Sequence, residues 1–390
     1  MSNFDSAKAW FETQSVEKQC LMSSRAALRT ASNLRMFGDR HLLHLKSLRA
    51  ILITAVRGVG RPEKREELQS NAASASRIAE TAATAITNSA PAQGTEEKYY
   101  TFLAITASCS AASAAFSTGP AAVAASASSA AEAAEYRLDD RNIAASKASA
   151  YSAASNDAKE NQIALLQTPV WGKTAVPMAS SIHHDNFLNF LGHHVDWAFW
   201  RMWYAQMWDG TFRDWDLAIE VATLPDELWE GEDALAKVAE AIRGIEAKRD
   251  LLDQITALKG EVSRLRAANH SPSVGHNQGP PLENQEVALR GQIELVWPVL
   301  EELEQEVEKS EPDPERIAPL AQKLWAIAVV IAKYCGGKLD VALEKAAETA
   351  GEAGTKWAIK FGVGTYLSTN EGVQSVAKAA WKFAMSLAAG

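Results

Sequence analysis

Two histidine pairs, His183-His184-Asp185 and His193-His194-Val195-Asp196, come nearest to metal or acid–base chemistry in this chain. Spacing weakens that reading. His183 and His193 are ten residues apart, which along one helix is about 15 Å and too far for both to hold one zinc ion. Only His193 and Asp196 stand at i, i+3, where two side chains converge. His183, His193 and Asp196 are therefore the candidate metal ligands, and a helical metalloenzyme around them is one functional reading. Helix capping and buried hydrogen bonding are the plainer one. No HExxH or Glu-x-x-His motif supplies further ligands. Gly58-Val59-Gly60 reads as a helix stop, because no strand precedes it as a phosphate loop requires. No catalytic residue is assigned and no cofactor is expected.

The next chemistry is cationic. Residues 1–65 hold twelve Lys or Arg against five acids, a net charge of +7. Arg25, Arg29, Arg49 and Arg57 are the candidate anion-binding positions, and with Arg35, Arg40 and Arg61 they would line a nucleic-acid-binding face. The whole chain carries −9 and lacks a helix-turn-helix or RNA-recognition signature, so nucleic-acid binding stands as an alternative reading. Net charge continues as −8 over residues 66–225, −11 over 226–316 and +3 over 317–390. Such segmentation points to parts with different partners, or to parts that attract each other.

The C-terminal stretch mixes Trp325, Trp357, Phe361 and Trp381 with lysines such as Lys360 and Lys382. Aromatics beside lysines resemble interfacial membrane segments; a soluble helical cap with snorkelling lysines is the plainer reading. The longest strongly apolar run, Leu324–Ala332, has nine residues, about half of a spanning helix. The tail is expected to form three or four short helices, the first stopped by Gly336-Gly337. They should pack on one another or on the acidic segment, with Trp325 and Trp381 covered inside the molecule.

Seven of the twelve tryptophans fall between Trp171 and Trp229. Trp197, Trp200, Tyr204 and Trp208 share one helical face, and Phe199, Met202 and Trp203 share another. A helix apolar on most sides belongs in a core. The sharper alternative is an aromatic platform for a ligand. Asp196, Asp209 and Asp214 are the expected acceptors for indole N–H groups.

The elements that position these residues read as helices throughout. Leu42, Leu45, Leu48, Leu52 and Val56 recur at three- and four-residue steps, with Arg49 and Arg57 off that stripe. Residues 104–154 contain twenty-one Ala and ten Ser; closely packed helices are preferred there over a disordered linker. Val238, Ile242, Ile245, Leu252, Ile255, Leu258, Val262 and Leu265 form an imperfect seam. Its partner is Leu289, Ile293, Val296, Leu300, Leu303 and Val307, or a second copy. Pro298 is expected to kink or break that second helix. The fold class is all-α: a multi-helix bundle with a long coiled-coil-like helical hairpin and a small C-terminal helical domain.

Six segments follow. Residues 1–225 form a basic-headed, Ala- and Trp-rich bundle, 226–268 a long amphipathic helix and 269–284 a Pro/Gly linker. Residues 285–309 form a second amphipathic helix, 310–316 a linker and 317–390 the apolar, lysine-containing tail. Three scattered cysteines, Cys20, Cys109 and Cys335, exclude a disulfide framework and fit a reducing compartment. The chain opens without a basic-then-apolar leader, so a cytoplasmic protein is expected, peripheral attachment at the inner membrane being the alternative.

Gly275-His276-Asn277-Gln278 followed by Pro280-Pro281, the Pro169-Val170-Trp171 element and the aromatic Trp200–Gly210 helix together resemble a family of uncharacterised bacterial helical proteins. The resemblance spans roughly residues 25–290 and implies domain order and a bacterial source, without an activity. The leading functional expectation is a non-enzymatic interaction protein, with a protein partner, self-association or a membrane at its tail, acting in bacterial defence or conflict.

Overall fold

Apolar residues at three- and four-residue steps become helices wherever the chain is described. The computed structural model describes residues 13–31, 41–64, 66–73, 152–153, 155–176, 178–270, 284–348 and 363–389. Nearly all of the alanine-rich stretch 104–154, the 275–281 junction, Trp357, Lys360 and Phe361 lie outside those residues. The chain is all-α, and among the described residues no strand occurs. Contacts divide it into two compact units, residues 1–242 and 243–390.

In the first unit, α1 (Val16–Ala31) starts where the Ser15 hydroxyl accepts the Lys18 N–H at 3.2 Å, an N-cap arrangement. Glu17 sits in its first turn and Arg29 in its last, each matched to the helix dipole. Helix α2 (His41–Val59) is buried at Leu45, Leu48, Ile51, Leu52, Ile53 and Val56. It is covered on almost every side, so Arg49 is buried along with the apolar stripe that was expected to exclude it. The two helices approach closely at Gly58, where a Cβ would stand 2.5 Å from Leu21 Cγ.

Helix α3 (Gln162–Gln167) is capped by Asn161, α4 spans Met178–Gly192, and a 3₁₀ turn Val195–Trp197 leads into α5 (Ala198–Asp209). Asp214 caps α6 (Trp215–Ala222) by accepting the Leu217 N–H at 3.1 Å. Trp197, Trp200, Trp203, Tyr204, Phe187, Phe212 and Trp229 are all fully buried. Their rings meet edge to face, Trp200 on Trp203 at 5.9 Å and on Trp229 at 6.1 Å, the preferred aromatic geometry. The tryptophan block is therefore core. Pro225 leads a 3₁₀ turn, Asp226–Trp229, rather than the long helix, which begins beyond Gly231.

That long helix, α7 (Ala234–His270), contains the boundary between the units. In the second unit its residues pack with α8 (Asn284–Glu308), α9 (Pro314–Glu348) and α10 (Val363–Ala389). Lys248 Nζ reaches the Lys309 carbonyl and Lys259 reaches Glu304, so α7 and α8 run antiparallel as an intramolecular hairpin. Leu251, Ile255, Leu258 and Val262 face Ile293, Val296, Leu300, Leu303 and Val307 in one core. Leu251 takes the position expected of Leu252, which repairs the 4-3-4 spacing. Helix α8 continues through Pro298 without a break.

The tail differs from expectation in form. Its described residues make two long helices of 35 and 27 residues, and α9 passes through Gly336-Gly337 to Glu348. Two interior glycines cost about 1 kcal/mol each, less than a helix packed along its length gains. The pair does pack on the acidic segment: Ser375 donates to Gln254 at 2.8 Å, and Gly372 lies against Leu258.

Candidate functional site

The histidine candidates do not converge. His183 lies within α4, half-buried, and His193 is exposed just beyond it. The residue that meets Asp196 is His194, whose Nδ1 stands 3.4 Å from the carboxylate and accepts the Asp196 N–H. No group of three His, Cys, Asp or Glu side chains capable of holding a metal ion occurs among the described residues. His184 stacks on Trp208 with ring centroids 4.2 Å apart. Burial pulls its pKa below the ordinary value against the opposing charges of Asp185 and Asp209.

The arginines form an interior scaffold. Arg25 and Arg29 both pair with Asp157, and all three side chains are only 3% exposed. Arg25 also donates to the Leu165, Thr168 and Pro169 carbonyls, and Arg29 to that of Val170. Two guanidiniums thus fix the backbone of the Pro169-Val170-Trp171 element. That element in turn receives α5: Val170 N–H donates to the Trp208 carbonyl at 2.9 Å, and Trp171 meets the Trp208 edge at 6.2 Å. Arg49 pairs with Asp226 at 2.6 Å and lies 4.3 Å from the Trp229 ring. Arg25, Arg29 and Arg49 therefore do not form a solvent-facing face for nucleic acid. Their paired carboxylates, Asp157 and Asp226, lie more than a hundred residues away, beyond the reach of local spacing.

Arg57 differs from these three. It lines a cleft of about 250 Å³ together with Val16, Glu17, Arg61 and Leu68. Among the described residues Arg25, Arg29, Arg49 and Arg61 each have a carboxylate partner. Arg57 has none there, and it touches the Cys20 sulfur instead.

The second unit presents a different surface. Leu324, Ile327, Ala328 and Ile331 of α9 are buried, as are Val373, Val376, Ala377, Ala380 and Phe383 of α10. On the outer side Trp325 is 42% exposed, Val330 46%, Trp381 44% and Met385 55%. Internal cover for Trp325 and Trp381 is therefore incomplete. Lys378 Nζ lies 5.6 Å from the Trp325 ring and one turn before Trp381, which ties the two exposed edges together. Lys323, Lys333 and Lys382 are exposed around them, and no Asp or Glu occurs in 316–339 or 372–389. Val329, Val330 and Met385 were not singled out from sequence; for Val329 and Met385 the i, i+4 relation to Trp325 and Trp381 was the available signal. No helix among the described residues is long and apolar enough to cross a membrane.

Set against protein-family models, curated proteins and solved structures, the chain matches none.

Proposed function

We propose that the chain is a helical interaction protein that attaches to an anionic lipid surface through the outer face of α9 and α10. The observation that supports this reading is the set of exposed apolar side chains Trp325, Val329, Val330, Trp381 and Met385, on stretches that carry Lys323, Lys333, Lys378 and Lys382 and no Asp or Glu from 316 to 339 or from 372 to 389. Tryptophan suits the headgroup boundary, where its ring is half apolar and half wet. Each lysine near an anionic leaflet contributes about 1 kcal/mol, so Lys323, Lys333, Lys378 and Lys382 together give about 4 kcal/mol, close to a thousandfold in affinity. A second copy docked on the same face would set lysines against lysines, which disfavours self-association there.

Co-sedimentation of the full chain with vesicles tests this. Binding is expected to vesicles containing phosphatidylglycerol, to weaken with salt, and to be minor on phosphatidylcholine alone. Trp325→Ser with Trp381→Ser should abolish binding and cost less stability than losing two fully buried rings, since both are already partly in water. Absence of binding at low salt overturns the proposal. So does binding unaffected by the tryptophan pair, or a dimer that depends on them in place of vesicle binding.

A further inference from the structure

We propose that the cleft between the start of α1 and the end of α2 binds a small organic carboxylate, with Arg57 as its anchor. Among the described residues Arg57 has no carboxylate partner, and its Nη1 is buried without a hydrogen bond. Inside a protein an unmatched guanidinium donor is costly, and the cost is relieved when an acceptor arrives. The cleft beside it provides room for one.

Size and lining narrow the ligand. A volume of about 250 Å³ lies below the range of roughly 300–1,000 Å³ in which drug-sized ligands and cofactors sit, which suits a molecule of a few carbons better than a nucleotide. Arg61 stands in the same wall, its guanidinium already held by Asp216 at 2.6 Å, and serves as a secondary donor. Glu17 also lines the cleft and offsets one positive charge, which disfavours a dianion such as phosphate. Val16 and Leu68 supply apolar wall, and that selects an organic tail over a bare inorganic ion. A planar carboxylate also matches the fork of a guanidinium with two parallel hydrogen bonds.

Saturation-transfer NMR with the full chain and butyrate tests the site, with acetate, inorganic phosphate and chloride compared at constant ionic strength. Transfer to the butyrate methyl group is expected, together with a rise in the thermal midpoint that butyrate gives and chloride does not. Arg57→Gln should weaken butyrate at least about tenfold by removing charge-assisted hydrogen bonds. Arg57→Lys keeps the charge and should weaken it less, which leaves the test usable if the glutamine variant folds poorly. Equal effects of butyrate and chloride overturn the proposal, as does phosphate binding more tightly than butyrate. Butyrate binding indifferent to both Arg57 variants overturns it too.

Discussion

Replacing Gly210 by alanine should destabilise the first unit far more than the same change at Gly172, thirty-eight residues earlier. Gly210 ends α5 at φ +67°, and its N–H is bonded back to the Gln206 and Met207 carbonyls. A Cβ there would stand 2.2 Å from the Thr168 carbonyl carbon and 2.5 Å from Pro169 N. Gly172 also has a positive φ, +56°, but a Cβ would meet nothing within 4 Å. The left-handed conformation costs an L-residue roughly 1–2 kcal/mol, and that is the whole expectation for Gly172→Ala. At Gly210 the obstacle is backbone, fixed by Arg25 through the Thr168 and Pro169 carbonyls, so it cannot swing aside. Overpacking adds about 1–3 kcal/mol, for a total of about 2–5 kcal/mol. Urea titration followed by tryptophan fluorescence reads the difference, since the tryptophans of this unit surround the site. Asparagine separates the two causes, because it tolerates the left-handed region yet keeps a Cβ. Gly172→Asn should be close to neutral, and Gly210→Asn should stay strongly destabilised. Equal losses for the two alanines, or wild-type stability in Gly210→Asn, would refute the close-approach argument.

Asp157→Asn leaves Arg25 and Arg29 buried without their shared carboxylate and should cost about 3–5 kcal/mol, as breaking a buried ion pair does; a loss below about 1 kcal/mol in chemical denaturation counts against the scaffold role. His184 is held neutral by burial, with its pKa below 6.5, so unfolding takes up a proton. Its contribution is complete above pH 6.5 and declines as pH falls through that value toward the depressed folded one. Wild type should therefore lose stability relative to His184→Phe between pH 7.5 and 5.5 in parallel denaturation curves, and a relative gain on acidification would contradict it. Burial pushes the Cys20 thiol up to about 12, so iodoacetamide at pH 8 should leave Cys20 unmodified in the folded chain and modify it in urea. Peptide mapping that finds fast native labelling would remove the buried-thiol assignment.

Sequence reading succeeded where a signal was local and periodic. The stripe from Leu42 to Val56 is α2, the tryptophan block is core, and the repeat from Ile293 to Val307 is the face that α8 turns to α7. Stops were harder. Gly60 ends its helix region with φ +80°, whereas Gly336-Gly337 does not, although both are pairs of glycines near apolar helices. Packing decides between them: α9 lies along α10 and α8, and burial over many turns outweighs a local weakness of about 2 kcal/mol. Long-range polar pairing was the least legible. Nothing in the spacing of Arg25, Arg29 or Arg49 reveals that Asp157 and Asp226 wait far along the chain. Cationic residues on short periodic helices read as an exposed binding face until their acceptors are placed.

The tail differs from the first unit in how its charge and apolar surface are accommodated. In the first unit, Arg57 apart, charge and apolar surface are reconciled inside: Arg25 and Arg29 find Asp157, Arg49 finds Asp226 and Trp229, and the large rings fill one another's gaps. On the outer side of α9 and α10 neither requirement is met among the described residues of the second unit. Trp325 has Lys378 for a neighbour, a cation–π contact that steadies the ring but adds no cover. Trp381 and Met385 have an open side. The lysines around them lie on stretches with no acid in 316–339 or 372–389, so the unmet needs are of one kind, an apolar phase and a negative charge at the same surface. Acidic protein segments supply the charge without the apolar phase, and another copy of this face supplies the apolar phase with the wrong charge. On the proposal above, an anionic bilayer interface supplies both, and a surface-bound helix pair needs no element long enough to span it.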